Sequence, residues 1–224
     1  MRFNGIAAAI LAGAVAAPSA LAVDEWTIHA TGTFDFLFNG FPPPNYDFVG
    51  VGDTWELYLG YDADMPADMS SGSFASFKSS LCVLTLIIND SQSNKSVQFN
   101  IDDFAGGDCD LITTTNACAC GDDNTVDVVV SNAAGVGLNL NILDEMGNTL
   151  PLFALPTLNN VDPVAFAALG ASTQLEFFMP TSGSTARAVS VTASLELLQG
   201  CIMPTPGTGA LLGVAGLVAV RRRR

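Results

Sequence analysis

From residue 26 to residue 38 the even positions carry Trp26, Ile28, Ala30, Gly32, Phe34, Phe36 and Phe38, and the odd ones carry Thr27, His29, Thr31, Thr33, Asp35 and Leu37. Successive side chains of a strand point to opposite faces, so this period of two predicts a half-buried strand, or a bent pair of strands, with the aromatic side inward. The alternation recurs at Trp55, Leu57, Leu59 and Tyr61, at Val97, Phe99 and Ile101, and at Val189, Val191, Ala193, Leu195 and Leu197. Residues 81–88 are apolar almost throughout, which predicts a central strand covered on both faces. Segments 125–131 and 136–143 flank Asn132-Ala133-Ala134-Gly135 and predict a hairpin. Two more strands are expected at 149–153 and 173–179, and a single short helical turn at 163–169.

Strands with one wet face suit an antiparallel sheet. Roughly eight to ten of them, separated by Gly, Pro, Asn and Asp clusters, predict an all-β fold: a single antiparallel β-sandwich, jelly-roll-like, over residues 23–200. Loops are expected at 39–45, with Pro42, Pro43 and Pro44, and at 62–73 and 102–123. Both ends of the chain follow a different pattern. Residues 1–22 combine Arg2, an apolar run over 5–17 closed by Pro18, and the small-x-small triplet Ala20-Leu21-Ala22. That is the layout of a signal peptide cleaved after Ala22, with Ala20 and Ala22 at the cleavage site. The run is shorter than the ~20 residues a spanning helix needs.

Charge sharpens the division. Half of the eight basic residues are the last four of the chain, and between residues 23 and 203 only Lys78, Lys95 and Arg187 face 22 acidic residues, a formal charge of −19. Phosphate binding depends on clustered Lys and Arg, so nucleic acid is excluded as a partner. All five cysteines lie beyond the signal, as expected of an exported chain whose disulfides persist. Cys118 and Cys120 are separated by one residue, too close for a relaxed bridge. The expected frameworks therefore join Cys82 and Cys109 to Cys118 and Cys120 in either order, leaving Cys201 over.

Residues 201–224 contain three parts in order: Pro204-Thr205-Pro206-Gly207, an apolar run over 209–220, and Arg221, Arg222, Arg223 and Arg224. As a short apolar helix the run would reach ~18 Å. Its six Leu and Val residues each favour insertion by only ~0.3–0.6 kcal/mol, enough for a transient hold in the inner membrane. The arginine block acts as a stop-transfer signal that stays on the cytoplasmic side, leaving the body outside. A Pro-x-Pro motif, apolar helix and arginine cluster at the extreme C-terminus, on a chain that begins with a signal peptide, resembles the PEP-CTERM sorting signal of Gram-negative bacteria. The resemblance implies recognition and removal of the tail by an exosortase, a membrane-embedded protease, and delivery to the cell surface or extracellular matrix. Thr205 stands where the name-giving glutamate would be. A permanent anchor and cysteine-linked retention at Cys201 are the alternatives.

Catalytic chemistry has little to work with. His29 is the only histidine, it falls on the polar face of the first strand, and no GxSxG motif is present. The body is accordingly read as non-catalytic, structural or adhesive, with no cofactor other than calcium. Calcium would be held by oxygen ligands from Asp102, Asp103, Asp108 and Asp110 around Gly106-Gly107, joined by Asp122 and Asp123. Asp62, Asp64 and Asp68 form a second acidic group, and no EF-hand register occurs in either. The alternative function is a carbohydrate-binding module for extracellular polysaccharide, using aromatic side chains on a sheet face or Phe41, Tyr46 and Phe48 in a loop. Parity with Trp26 and Ile28 places Phe34, Phe36 and Phe38 in the core instead.

Overall fold

The computed structural model describes residues 24–38, 49–77, 80–93, 95–104, 112–116, 123–181 and 184–202. Along the chain run β1 (Glu25–Thr33), β2 (Phe36–Phe38), β3 (Thr54–Asp62), β4 (Met69–Ser70), β5 (Phe74–Phe77), β6 (Leu81–Asn89) and β7 (Ser96–Asn100). They are followed by β8 (Ile112–Asn116), β9 (Asn124–Ser131), β10 (Gly137–Asp144), α1 (Pro163–Ala168), β11 (Thr173–Thr181), β12 (Ser184–Ser190) and β13 (Ala193–Gln199). Among the described residues the fold is all-β and antiparallel at every pairing. One sheet has five strands in the order β13-β1-β3-β6-β7, and the other has eight in the order β2-β12-β11-β10-β9-β8-β5-β4.

Both sheets contribute to one apolar core. Ile28, Leu57, Leu59, Leu86 and Ile88 from the five-stranded sheet share a buried cluster with Val126, Val128, Leu138, Leu140, Leu175 and Phe177 from the eight-stranded one. Direct contact between the sheets is visible at Phe99 and Phe177, whose ring centroids lie 5.1 Å apart. The expected short helical turn is α1. Pro163 starts it, the Asp162 carboxylate accepts from the N–H groups of Val164 and Ala165, and Phe166 is buried in the core.

Strand β6 behaves as its sequence predicts. Leu84, Leu86 and Ile88 are buried on the core side, and Val83 and Thr85 are buried on the other. The hairpin at 132–135 also forms, with Gly135 at positive φ and its N–H donating to Asn132 O.

Parity fails at two corners. Trp26, Ile28, Ala30 and Phe34 are fully buried, but Phe36 and Phe38 are 51% and 52% exposed. The chain leaves the five-stranded sheet after β1 and enters the eight-stranded one as its edge strand β2, so Leu37 turns toward the core instead. The run at 189–197 breaks in the same way. Ala186 and Ala188 point inward in β12, whereas Leu195 and Leu197 do so in β13, after the return crossing. The two corners are bonded to each other: Asp35 N donates to Val189 O at 2.8 Å and Val191 N donates to the Asp35 carboxylate at 2.9 Å. The inward placement expected for Phe36 and Phe38 is thereby corrected.

Three expectations about elements also change. Residues 149–153 are irregular, because the buried Asp144 carboxylate draws the N–H groups of Thr149 and Leu150 into a turn at 2.6 and 2.9 Å. Strand β4 falls inside the loop expected at 62–73, with β5 directly after it, and β8 lies inside the one expected at 102–123.

The corner gives a direct test. Phe34→Ala removes a buried ring and is expected to cost about 3–5 kcal/mol in equilibrium denaturation. Phe36→Ala, only two residues on, is expected to cost less than about 1 kcal/mol. Equal losses would contradict the sheet crossing.

Candidate functional site

Residues 200–202, directly after β13, are secured at several points. At the pairing of β3 with β6, Gly60 faces Val83 and Tyr61 faces Leu81, so Cys82 is the extra residue of a β-bulge. Bulged out, Cys82 is exposed and bonds to Cys201, with Cα atoms 6.6 Å apart. A methyl group at Gly60 would lie 3.2 and 3.3 Å from the two sulfurs and 3.0 Å from Val83 Cβ, so the bridge crosses the sheet where a side chain is missing. Next to it, the Thr27 hydroxyl donates to Gly200 O at 2.6 Å and accepts from Ile202 N at 2.9 Å. Gly200 N donates to Glu25 O at 2.7 Å.

The bridge corrects the cysteine framework. Cys82 sits on the five-stranded sheet beside the exit of β13, which brings Cys201 within bonding reach. Cys201 is therefore the partner of Cys82 and is not left over. Closing a loop of 119 residues restricts the unfolded chain by about 4–5 kcal/mol in the chain-entropy account. Cys109, Cys118 and Cys120 lie outside the described residues. So do Ala20 and Ala22, the motif Pro204, Thr205, Pro206 and Gly207, the apolar run after it, and Arg221, Arg222, Arg223 and Arg224. Among the described residues no helix is long and apolar enough to cross a membrane.

The acidic side chains mostly serve turns. Asp53, almost fully buried, accepts from Ser91 N at 2.8 Å and Ser91 Oγ at 2.7 Å. Asp62 accepts from Asp64 N at 3.0 Å, and Asp103 from Asn100 N at 2.7 Å. Asp90 accepts from the Ser93 hydroxyl and from the N–H groups of Gln92 and Ser93, which together hold its carboxyl below the usual range. Among the described residues, which include Asp102, Asp103 and Asp123, no group of three or more His, Cys, Asp or Glu could hold a metal ion. Asp108, Asp110 and Asp122 lie outside them.

His29 is more enclosed than a solvent-facing strand residue. Its side chain is 21% exposed, with Nε2 at 2.9 Å from Glu56 Oε1 and Nδ1 at 3.5 Å from Glu196 Oε2. Its ring stacks on Tyr58 at 4.5 Å, and the Tyr58 hydroxyl donates to the same Glu56 oxygen at 2.6 Å. Both imidazole nitrogens thus meet carboxylates, and the cluster ties β13, β1 and β3 together on the outer face. Partial burial, the Glu56 hydrogen bond and the charges of Glu56 and Glu196 push the Tyr58 phenol up to about 12.

The opposite outer face, on the eight-stranded sheet, holds an open groove of about 640 Å³. Cross-strand register lines up Phe38, Arg187 and Phe178 in one row, and Phe36, Val189, Glu176 and Asn139 in the next. Arg187 Nη1 lies 3.5 Å from Glu176 Oε2, between the aromatic positions. A second hollow of about 330 Å³, lined by Phe178, Pro180 and Asn139, shares Glu176, Thr185 and Arg187 with the first. The Phe178 ring lies over Gly137, where an added Cβ would come within 2.7 Å of it. Sequence reasoning missed this face because parity had assigned its two edge aromatics to the core.

No protein-family model matches the chain, nor does any curated protein or solved structure.

The Tyr58 contact predicts an alkaline signature. A phenol held neutral in the fold stabilises it fully below the unfolded pKa near 10. That contribution is lost as pH rises toward about 12. In urea melts, Tyr58→Phe is expected to flatten the fall in stability over this interval. Some slope should survive through Tyr61, whose buried hydroxyl is also raised. An unchanged curve would contradict the Glu56 contact.

Proposed function

We propose that the protein is an exported cell-surface or extracellular-matrix protein, sorted through its C-terminal tail and processed by an exosortase-like membrane protease. Its body is non-catalytic, structural or adhesive, a β-sandwich in which the two sheets are layers. The description as jelly-roll-like follows the early chain, which alternates between sheets from β1 through β4 and crosses back for β6. One observation carries the reading: the start of β1 and residues 199–202 are fastened side by side. Trp26 pairs with Gln199, Gly200 bonds Glu25, and Cys201 is bridged to Cys82, while the apolar core is assembled from residues between these points. Segments 1–22 and 203–224 are read as the address labels that flank this joined pair of strands.

The geometry also limits how the tail works. Between Ile202, hydrogen-bonded to β1, and the apolar run from residue 209 lie only residues 203–208, a leash of at most ~25 Å. Before processing, the body sits next to the membrane. A disulfide at the exit also suits an oxidising compartment. A second reading, a carbohydrate-binding module for extracellular polysaccharide, is favoured by the exposed Phe36 and Phe38.

The sorting reading is tested by replacing Arg221, Arg222, Arg223 and Arg224 with glutamine, then following intact mass and cell fractionation in the native host. Loss of tail removal and accumulation of unprocessed chain are expected. Normal processing would overturn the role given to the arginines.

A further inference from the structure

The groove on the eight-stranded sheet carries an inference that rests on the adhesive reading of the body and names its ligand. Phe36 and Phe38 are about half exposed on a three-residue edge strand, a placement that leaves apolar surface in water at a sheet edge. They do not stand alone, because Arg187 and Glu176 lie beside them and Gln174 and Thr185 complete the polar part of the lining. A ligand that fits must present flat apolar surface to the rings and both donors and acceptors at its rim. Arg187 can only donate, ionised Glu176 can only accept, and Gln174 and Thr185 do both.

Charge narrows the chemistry further. The guanidinium is already shared with Glu176, and the body carries −19, so a polyanion would be repelled. Nucleic acid is excluded on the same ground. An uncharged pyranose ring meets the remaining requirements, with C–H faces to cover phenylalanine and hydroxyls that donate and accept. Phe36 and Phe38 are one pleat repeat apart on the same face, roughly 7 Å, and the second hollow continues the groove past Phe178 to Asn139. There the buried side-chain oxygen of Asn139 has no hydrogen-bond partner. This elongated layout suits a chain of sugars better than a single one. From this geometry we infer that the groove lined by Phe36, Phe38, Glu176 and Arg187 binds an uncharged polysaccharide chain.

The test uses the exported protein purified from its producing cells, with amorphous cellulose and xylan as neutral probes and alginate as an acidic one. Retention on at least one neutral polymer, and none on alginate, is the expected result. Phe36→Ala and Phe38→Ala should each weaken retention about tenfold, while Phe38→Tyr keeps it. Thermal midpoints close to that of the unsubstituted protein would show the variants folded. Retention that survives the double alanine substitution would overturn the groove while leaving the adhesive reading in place. No retention on either neutral polymer would overturn both, without touching the sorting reading. A dimer that the double substitution dissociates would overturn the proposal in favour of self-association through β2.

Discussion

Strand β1 is hydrogen-bonded along its length to β3 on one side and β13 on the other, and this double pairing is the constraint on which the other features depend. It joins the two ends of the body across nearly the whole sequence. Because β13 arrives beside β1, residue 201 comes within reach of the bulged Cys82, and Thr27 can bond both Gly200 and Ile202. Contacts this distant in sequence form only after a large loss of chain entropy. The disulfide offsets part of that loss by limiting the unfolded ensemble. Residues 200–202 are thereby fastened to β1 and to the bulge of β6.

Much of this architecture is legible in the residues, and the misreadings have identifiable causes. Alternation at 55–61 and 97–101 and the apolar run at 81–88 report which side of a strand is dry, and the structure agrees. Alternation does not report which sheet a strand joins. At Asp35 and at Val191 the chain changes sheet and the inward parity reverses, so each apparent run is divided between two strands of different sheets. Strand β8, with the sequence Ile-Thr-Thr-Thr-Asn, has no apolar period to announce it. The Cys82 pairing was hidden because a bulge and a return crossing, not sequence spacing, bring the partner close.

The excess of acid acquires a structural meaning as well. With three cations in the body, few carboxylates can find an ion-pair partner. Asp35, Asp53, Asp90, Asp103, Asp144 and Asp162 instead accept hydrogen bonds from backbone N–H groups at corners, turns and a helix start. Such bonds replace water at amides that strand pairing leaves free. Two faces then remain for chemistry. The outer side of the five-stranded sheet is closed by His29, Tyr58 and two glutamates, whereas that of the eight-stranded sheet is open, aromatic and polar together. A body fastened at one corner and open on one broad face is suited to the adhesive role proposed for it.

Peptide mapping of the oxidised protein under non-reducing conditions tests the fastening most directly. The peptide containing Cys82 should be recovered joined to the one containing Cys201. Recovery of Cys82 joined to Cys109, Cys118 or Cys120 would contradict the bolted exit on which this account of the tail is built.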